Sequence, residues 1–168
     1  MSGLRPLHTS EYPIIDTDPI FSRVIRYMRP SDYAIGLFPV AFGPFFMYVM
    51  ERYQPSGQPR AQLIRASKYA ACLGVLTGFN MAYVRSSLRF WGFMENAREI
   101  KMYREEYRKL KAEGKPMHGT SSLPLHIQRT AAAYSTGAFL NLDVFPIYNF
   151  VNHPYHGQSE GVIPEDER

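Results

Sequence analysis

Cysteine is almost absent from this sequence, which limits both its redox chemistry and the ways in which its fold can be stabilised. Cys72 is the only cysteine among the 168 residues, so no disulfide can form within the chain. It lies in an uncharged apolar stretch, where burial makes a cysteine an unreactive small hydrophobic residue. We therefore expect no redox role for Cys72, and a small disulfide-stabilised fold is excluded.

The N-terminal residues lack the pattern of a targeting signal. Residues 1–16 show neither the basic-then-apolar order of a secretory signal nor the acid-free, Arg- and Ser-rich composition of a transit peptide. The sequence contains no Asn-x-Ser/Thr sequon, which disfavours a secretory route. We therefore expect any organelle address to be internal, in apolar segments with basic flanks.

Motifs for catalysis and for nucleic-acid binding are also missing. The net charge of +4 is modest and the basic residues are spread along the chain, which disfavours a nucleic-acid partner. No G-x-G-x-x-G, phosphate loop or G-x-S-x-G is present.

The histidines give no clear metal signature. His153 and His156 have the spacing H-x-x-H but no nearby cysteine or acidic partner, while His118 and His126 are expected to be ordinary surface histidines. We therefore predict no catalytic, cofactor-binding or metal-binding residue and no cofactor. A membrane-bound enzyme or transporter that uses His153 and His156 remains an alternative.

Two long apolar runs dominate what the sequence does contain. Residues 33–50 form a run of eighteen residues without a charged side chain, and residues 69–84 form a second. A helix of that length spans about 27 Å, close to the hydrocarbon thickness of a bilayer. Tyrosines and Trp91 flank the runs, as in the aromatic belts of membrane proteins. The pattern predicts a transmembrane hairpin, with buried helices of a soluble core as the alternative.

The rest of the chain is interpreted as attachments to this hairpin. The predicted fold is an all-α membrane protein, a two-helix transmembrane hairpin whose second helix extends beyond the bilayer, with an irregular N-terminal arm and C-terminal tail. Prolines and glycines mark the breaks, and a helical stripe sustained after the second run predicts the extension. The predicted segments are an extended arm (1–18), a short amphipathic interfacial helix (19–30), a first transmembrane helix (31–51), a connecting loop (52–64), a second transmembrane helix with its amphipathic extension (65–113) and a peripheral tail (114–168).

Several side chains are placed where they can reach the headgroup region. Long basic side chains at that level pair with phosphates, contact acidic partner residues, or extend towards water to anchor a helix. The candidates from this argument are Arg23, Arg26, Arg29, Lys68, Arg85 and Arg89, together with the ring of Trp91. Within the first run, Gly36 and Gly43 are spaced to allow close approach of a neighbouring helix.

One block of the sequence resembles a known family. The residues from Tyr12 to Pro19 read YPIIDTDP, and those from Phe21 to Tyr33 read FSRVIRYMRPSDY, of which YMRPSDY is the most distinctive part. The block resembles the fungal accessory subunit of mitochondrial complex I (NADH:ubiquinone oxidoreductase) called NUXM, the twenty-one-kilodalton subunit family. The hairpin and the long polar tail are similar to the layout of that family over most of the chain.

The resemblance implies a non-catalytic subunit that stabilises or helps to assemble the membrane arm. It implies a multi-pass protein of the mitochondrial inner membrane that contacts core and accessory membrane-arm subunits and phospholipid, with cardiolipin as one candidate. Both termini are expected on the same side, and the positive-inside rule favours the matrix. The positions that the resemblance assigns to interface contacts are Asp16, Asp18, Arg26, Arg29 and Asp32. An assembly factor or scaffold that is not retained in the final complex is the alternative.

Overall fold

A computed structural model describes residues 10–135, 148–156 and 162–163 of the chain. Within these residues all the regular structure is α-helical and there is no strand, so the prediction of an all-α fold is confirmed for this part of the chain. The helices are α1 (Phe21–Arg26), α2 (Pro30–Tyr53), α3 (Arg60–Phe90), α4 (Ala97–Ala112) and α5 (Leu125–Ser135). They divide between two compact units. We call residues 28–85 the hairpin unit, and residues 1–27 with 86–168 the arm–tail unit.

The N-terminus of α2 is stabilised by a proline and by a side-chain hydrogen bond. Pro30 occupies the first turn of α2, where its missing N–H costs nothing. Asp32 accepts a hydrogen bond from the backbone N–H of Arg29 at 2.8 Å, which satisfies one of the donors that a helix N-terminus leaves free. The buried Asp32 carboxylate also pairs with the Arg85 Nε at 3.4 Å, so this charge is compensated inside the unit.

Glycines bring α2 and α3 into backbone contact. A Cβ added to Gly36 would lie 2.8 Å from the Gly78 carbonyl oxygen, and one added to Gly74 would lie 2.5 Å from the Pro39 carbonyl oxygen. A Cβ at Gly78 would overlap the Gly36 carbonyl oxygen. Such small-residue contacts are how helices approach closely when no hydrophobic force drives them together.

Much of the hairpin unit's apolar surface is exposed. Leu37, Phe38 and Phe45 on α2 are 65%, 61% and 62% exposed, and α3 exposes Leu73 and Leu76 to a similar extent. Cys72, for which the sequence predicts burial, is likewise exposed on α3. These side chains have no covering within the part of the chain that the structure describes.

Of the two predicted transmembrane helices, only the first is both long enough and apolar enough to cross a membrane. Among the described helices, α2 is long and apolar enough to cross a membrane, and none of its most apolar eighteen-residue window is buried. The helix α3 does not meet the same criterion, because it carries Arg65, Lys68 and Arg85 around an apolar stretch that itself contains Asn80. The packed helical hairpin is therefore observed, but a two-helix transmembrane hairpin and a multi-pass topology are not confirmed.

The single long helix predicted for residues 65–113 is two helices in the structure. Helix α3 ends at Phe90 and α4 begins at Ala97. Gly92 adopts a φ of +76°, and a Cβ there would overlap the carbonyl oxygen of Tyr12. The chain bends here because the N-terminal arm packs against the bend, a long-range contact that the helical periodicity does not reveal.

The arm is held by this bend over the residues that the structure describes. Tyr12 donates its backbone N–H to the Gly92 carbonyl at 3.0 Å, and Ile15 donates to the Phe90 carbonyl at 2.9 Å. The Asn96 side chain donates to the Pro13 carbonyl at 2.8 Å. The prolines of the arm predict an extended segment held by a partner, and for residues 10–18 that partner is the α3–α4 bend of the same chain.

Within the arm–tail unit, the described part of the tail packs on α1. The apolar, aromatic and proline-broken sequence of residues 141–155 predicts an extended strap against another protein, and residues 141–147 of it lie outside the described residues. Tyr148 and Phe150 contact the Phe21 ring, with centroids 5.5 and 4.8 Å away. The buried hydrophobic side chains of this unit are Ile15, Val24, Tyr27, Phe90, Trp91, Tyr103, Ala132, Val162 and Ile163.

Candidate functional site

Two aspartates and three histidines from distant parts of the sequence meet inside the arm–tail unit. Asp16 and Asp18 come from the arm, His118 from the turn after α4, and His153 and His156 from the tail. The hydrogen-bonded pairs Asp18–His153 and Asp16–His156 are separated by 135 and 140 positions in the sequence. We call these five residues the Asp–His cluster.

Asp16 lies at the centre of this cluster. Its Oδ1 accepts hydrogen bonds from the backbone N–H of Asp18 at 2.9 Å and from His156 Nδ1 at 2.8 Å. Its Oδ2 lies 3.5 Å from the Arg23 guanidinium. Burial alone would raise the pKa of the Asp16 carboxyl, but the hydrogen bond and charge of His156, with smaller contributions from His118 and Arg23, outweigh it and lower that pKa. Asp16 is therefore a stably ionised, buried carboxylate.

Asp18 binds tail residues and does not cap a helix. The sequence predicts it as the cap of a helix that begins at Pro19, but α1 begins at Phe21 and has no side-chain cap. The Asp18 carboxylate instead pairs with His153 Nε2 and accepts a hydrogen bond from the Ser135 hydroxyl. These contacts fasten the tail and the end of α5 to the arm.

The three histidine rings of the cluster form a stack. The rings of His118 and His156 lie 3.5 Å apart between centroids with an interplanar angle of 11°, and those of His153 and His156 lie 4.6 Å apart. Burial of the His118 ring, reinforced by the charge of His156, lowers the pKa of His118 to about 3. His118 is therefore neutral at physiological pH, and its Nδ1, 3.2 Å from a guanidinium nitrogen of Arg23, accepts a hydrogen bond from it.

Arg23 links the cluster to α4. Its guanidinium donates to the Met117 carbonyl at 2.7 Å and approaches Glu106 at 3.5 Å. The hydroxyl of Tyr27 donates to the same Glu106 carboxylate at 2.7 Å, and burial followed by this hydrogen bond raises the pKa of Tyr27. Arg23 and Tyr27 therefore both bind Glu106, and Arg23 also connects Glu106 to Asp16 of the cluster.

The structure separates the ten predicted contact residues into two groups. The first is buried within the chain, which indicates a role in its own fold: Asp16, Asp18, Arg23, Asp32, Arg89 and Trp91. Within this group Arg89 pairs with the buried Glu99 at 3.4 Å, and Trp91 donates its ring N–H to the Thr17 carbonyl at 3.1 Å. The second group is partly or fully exposed: Arg26, Arg29, Lys68 and Arg85.

The Asp–His cluster contains a set of potential metal ligands that sequence analysis missed. One ligand atom each from Asp16, His118 and His156 lie within 4.8 Å of one another. Among the described residues, His153 Nδ1 and His156 Nε2 are buried without a hydrogen-bond partner. The acidic partners missing next to His153 and His156 in the sequence are supplied by the arm. His118 is part of this cluster and is not an ordinary surface residue.

Comparison with known proteins places most of the described residues in one family. Residues 9–95 match the family "NADH-ubiquinone oxidoreductase complex I, 21 kDa subunit", and residues 103–161 match "C-terminal of NADH-ubiquinone oxidoreductase 21 kDa subunit". A 20.9 kDa subunit of NADH-ubiquinone oxidoreductase from Neurospora crassa is 46% identical over 149 residues, which cover 88% of this chain and 78% of the relative. The first match contains the described part of the arm and the hairpin unit, and the second contains α4 from Tyr103 onwards, α5 and the described tail up to His156. The resemblance found in the sequence is confirmed, and the chain belongs to the family of the 21 kDa subunit of NADH-ubiquinone oxidoreductase complex I.

Proposed function

We propose that this chain is a non-catalytic accessory subunit of the membrane arm of mitochondrial respiratory complex I. In this role it stabilises or helps to assemble the proton-pumping arm in the inner mitochondrial membrane, and its partners are the core and accessory subunits around it. The observation that carries the proposal is the family match on both sides of the α3–α4 bend, together with a relative that is itself named as a subunit of the enzyme.

The exposed apolar surface of the hairpin unit supports a membrane location. Stacked phenylalanines run along α2, with Phe38, Phe42 and Phe46 separated by 5.2 and 5.8 Å between consecutive ring centroids. All three rings are exposed. A contiguous apolar face of this size is costly in water and favourable against lipid or an apolar partner.

The close packing of α3 on α2 supports a second crossing. The glycine contacts keep residues 36–43 of α2 adjacent to residues 70–78 of α3, so lipid around α2 also meets the exposed Leu73 and Leu76 of α3. Asn80 donates its side-chain amide to the Leu76 carbonyl at 2.9 Å, which reduces the cost of placing this polar group in hydrocarbon. Both ends of the chain then lie on the same side of the membrane, with the matrix favoured.

The exposed basic residues are suited to contacts with phospholipid headgroups or partner subunits. Arg26 has a side chain that is 63% exposed although it pairs with Glu106, and Lys68 is exposed on α3. We include Arg29 and Arg85 in the same proposal. Cardiolipin is a candidate ligand because its paired phosphates can engage two such side chains at once.

Native electrophoresis tests the proposal. A C-terminally tagged chain is expressed in the mitochondria of its own organism, which are then solubilised with mild detergent. We expect the tag to co-migrate with in-gel NADH dehydrogenase activity at the size of the complete enzyme. Deletion of the chain should lower the amount of assembled enzyme and leave the activity per remaining enzyme unchanged.

Two results would contradict this role. Migration of the tag only with smaller assembly intermediates would identify an assembly factor that does not stay in the complex. A fully assembled enzyme with lost activity in the deletion strain would identify a direct part in the reaction.

A further inference from the structure

We propose that Asp16, His118 and His156 bind a divalent transition-metal ion, for which zinc is the best fit. The bound ion would fasten the N-terminal arm, the turn after α4 and the tail to one another. This site goes beyond the proposed function, which requires no metal on this chain.

The donor set points to the class of ion. Two imidazoles and one carboxylate suit zinc, whereas calcium and magnesium prefer oxygen ligands throughout. The three ligand atoms lie within 4.8 Å of one another. In a tetrahedral zinc site the ligand atoms are about 3.4 Å apart, so the three side chains must rearrange to complete the site. Water can then fill the fourth position.

Unpartnered nitrogen atoms give a second, independent observation. The His156 side chain is 5% exposed, and its Nε2 has no hydrogen-bond partner among the described residues. The neighbouring His153 ring is fully buried and also has one unpartnered nitrogen in this part of the chain. Buried polar atoms without a partner are rare in folded proteins, and a bound ion or water is a common reason for them.

The positive charge of Arg23 lies next to the proposed site and must be offset when a cation binds. The Arg23 guanidinium lies 3.2 Å from His118 Nδ1 and 3.5 Å from Asp16, so it repels an incoming cation. The Asp16 carboxylate offsets this repulsion as a ligand of the ion, and Glu106, 3.5 Å from the Arg23 guanidinium, offsets it further. When the ion binds, Arg23 gives up its bond to His118 and keeps those to the Met117 carbonyl and Glu106.

One ring must also turn. The rings of His118 and His156 are stacked nearly parallel, and His156 Nδ1 donates a hydrogen bond to Asp16, whereas coordination requires one lone pair from each ring to converge with the carboxylate on one point. His118 is able to move because its side chain is 21% exposed and its turn lies between Gly114 and Gly119. Separation of the stacked rings is therefore the structural signature of the occupied site.

Zinc binding to the full-length chain tests the proposal. The chain is purified in detergent, stripped with a chelator and incubated with zinc chloride, and the zinc retained after gel filtration is measured by mass spectrometry. We expect about one zinc per chain, and a melting temperature raised by about 5 °C or more when zinc is 100-fold above its Kd. His118→Ala should lose both effects, whereas His126→Ala on exposed α5 and Cys72→Ala should keep them.

Two outcomes would overturn the site. One is a wild-type chain that retains no zinc, and the other is a His118→Ala variant that retains as much as the wild type. If His118→Ala does not fold, the X-ray absorption spectrum of the zinc-loaded wild type decides the matter. The spectrum must show imidazole scattering from two histidines at about 2.0–2.1 Å, and a shell of oxygen alone would contradict the proposal.

Discussion

The carboxylate of Asp16 is a buried negative charge in the arm–tail unit, and it binds residues from three parts of the chain. It accepts hydrogen bonds from Asp18 and His156, and it faces Arg23, whose side chain is only 7% exposed. Removing one member of a buried charge pair costs about 3–5 kcal/mol because the other charge is left uncompensated. We therefore expect the loss of the Asp16 charge to destabilise the packing of the arm against the tail.

We predict that Asp16→Asn lowers the melting temperature of the full-length chain in detergent by about 6 °C or more. Circular dichroism in the presence of a chelator measures the change without a contribution from bound metal. Arg26→Gln is the matched control, because that side chain is 63% exposed and its ion pair with Glu106 contributes about 0–1 kcal/mol. Equal melting temperatures for Asp16→Asn and wild type would contradict the network described for Asp16.

The lowered pKa of His118 predicts how the stability of the chain depends on pH. Its pKa is lowered from 6.5 to about 3 in the folded chain, first by burial. Between these values the unfolded chain binds the proton more readily than the folded chain, so stability rises with pH. The contribution of His118 is complete above pH 6.5 and decreases as the pH falls towards 3.

We expect the melting temperature of the metal-free chain to fall between pH 7 and pH 5, and we expect His118→Asn to make this fall smaller. Asparagine keeps an acceptor for Arg23 but does not titrate. His126→Asn is the control, because His126 is exposed and should leave the pH profile as it is in the wild type. The same slope in wild type and His118→Asn would show that His118 is not held neutral by the fold.

The residue types of the cluster are visible in the sequence, but their meeting is not. His153 and His156 have the spacing H-x-x-H, and the family resemblance assigns Asp16 and Asp18 to contacts with other chains. The pairing of Asp16 with His156 spans 140 positions, and no local pattern encodes such a contact. Only the folding of the arm against the α3–α4 bend brings these groups together.

At the scale of helices, the close approach of α2 and α3 rests on glycine. The Gly78 position has no room for a Cβ because the Gly36 carbonyl occupies that space. Both partners are backbone atoms, so the clash cannot be relieved by turning a side chain. The two helices would have to separate over several turns.

We predict that Gly78→Ala destabilises the full-length chain by about 1–3 kcal/mol through overpacking. Thermal unfolding in detergent micelles measures the effect. Cys72→Val adds volume to the same helix at an exposed position and should change the melting temperature little. If Gly78→Ala is as stable as Cys72→Val, the two helices are not in backbone contact.

Helix content was easier to predict from the sequence than helix ends. The apolar run of residues 33–50 lies wholly within α2, and Gly36 and Gly43 do face the neighbouring helix. The sequence does not predict the break after Phe90, because a single glycine without a proline is a weak signal for the end of a helix. The break depends on a long-range contact, because the carbonyl of Tyr12 leaves no room for a side chain at Gly92.

At the scale of the whole molecule, the chain combines two units of different character. The hairpin unit exposes apolar side chains on both α2 and α3, whereas the arm–tail unit has a buried core and a buried network of charges. The sequence predicts too little core for independent order, but the arm–tail unit buries Tyr27, Phe90 and Tyr103 within the chain itself. The external surroundings proposed here are lipid for the hairpin unit and neighbouring subunits of complex I.

The central claim is that both helices of the hairpin unit lie in the membrane, and the single native cysteine offers a direct test. Cys72 is exposed on α3, the helix whose crossing is not established by its apolarity. A charged, membrane-impermeant maleimide is applied to sealed mitoplasts and to inverted inner-membrane vesicles. A Ser56→Cys variant in a Cys72→Ala background serves as the control, because Ser56 lies in the exposed link between the helices.

We predict that Cys72 is unlabelled from either side and becomes labelled only after the membrane is dissolved in denaturing detergent. The cysteine at position 56 should be labelled from one side alone. Labelling of Cys72 in intact mitoplasts or in inverted vesicles would place α3 in water and contradict the membrane hairpin.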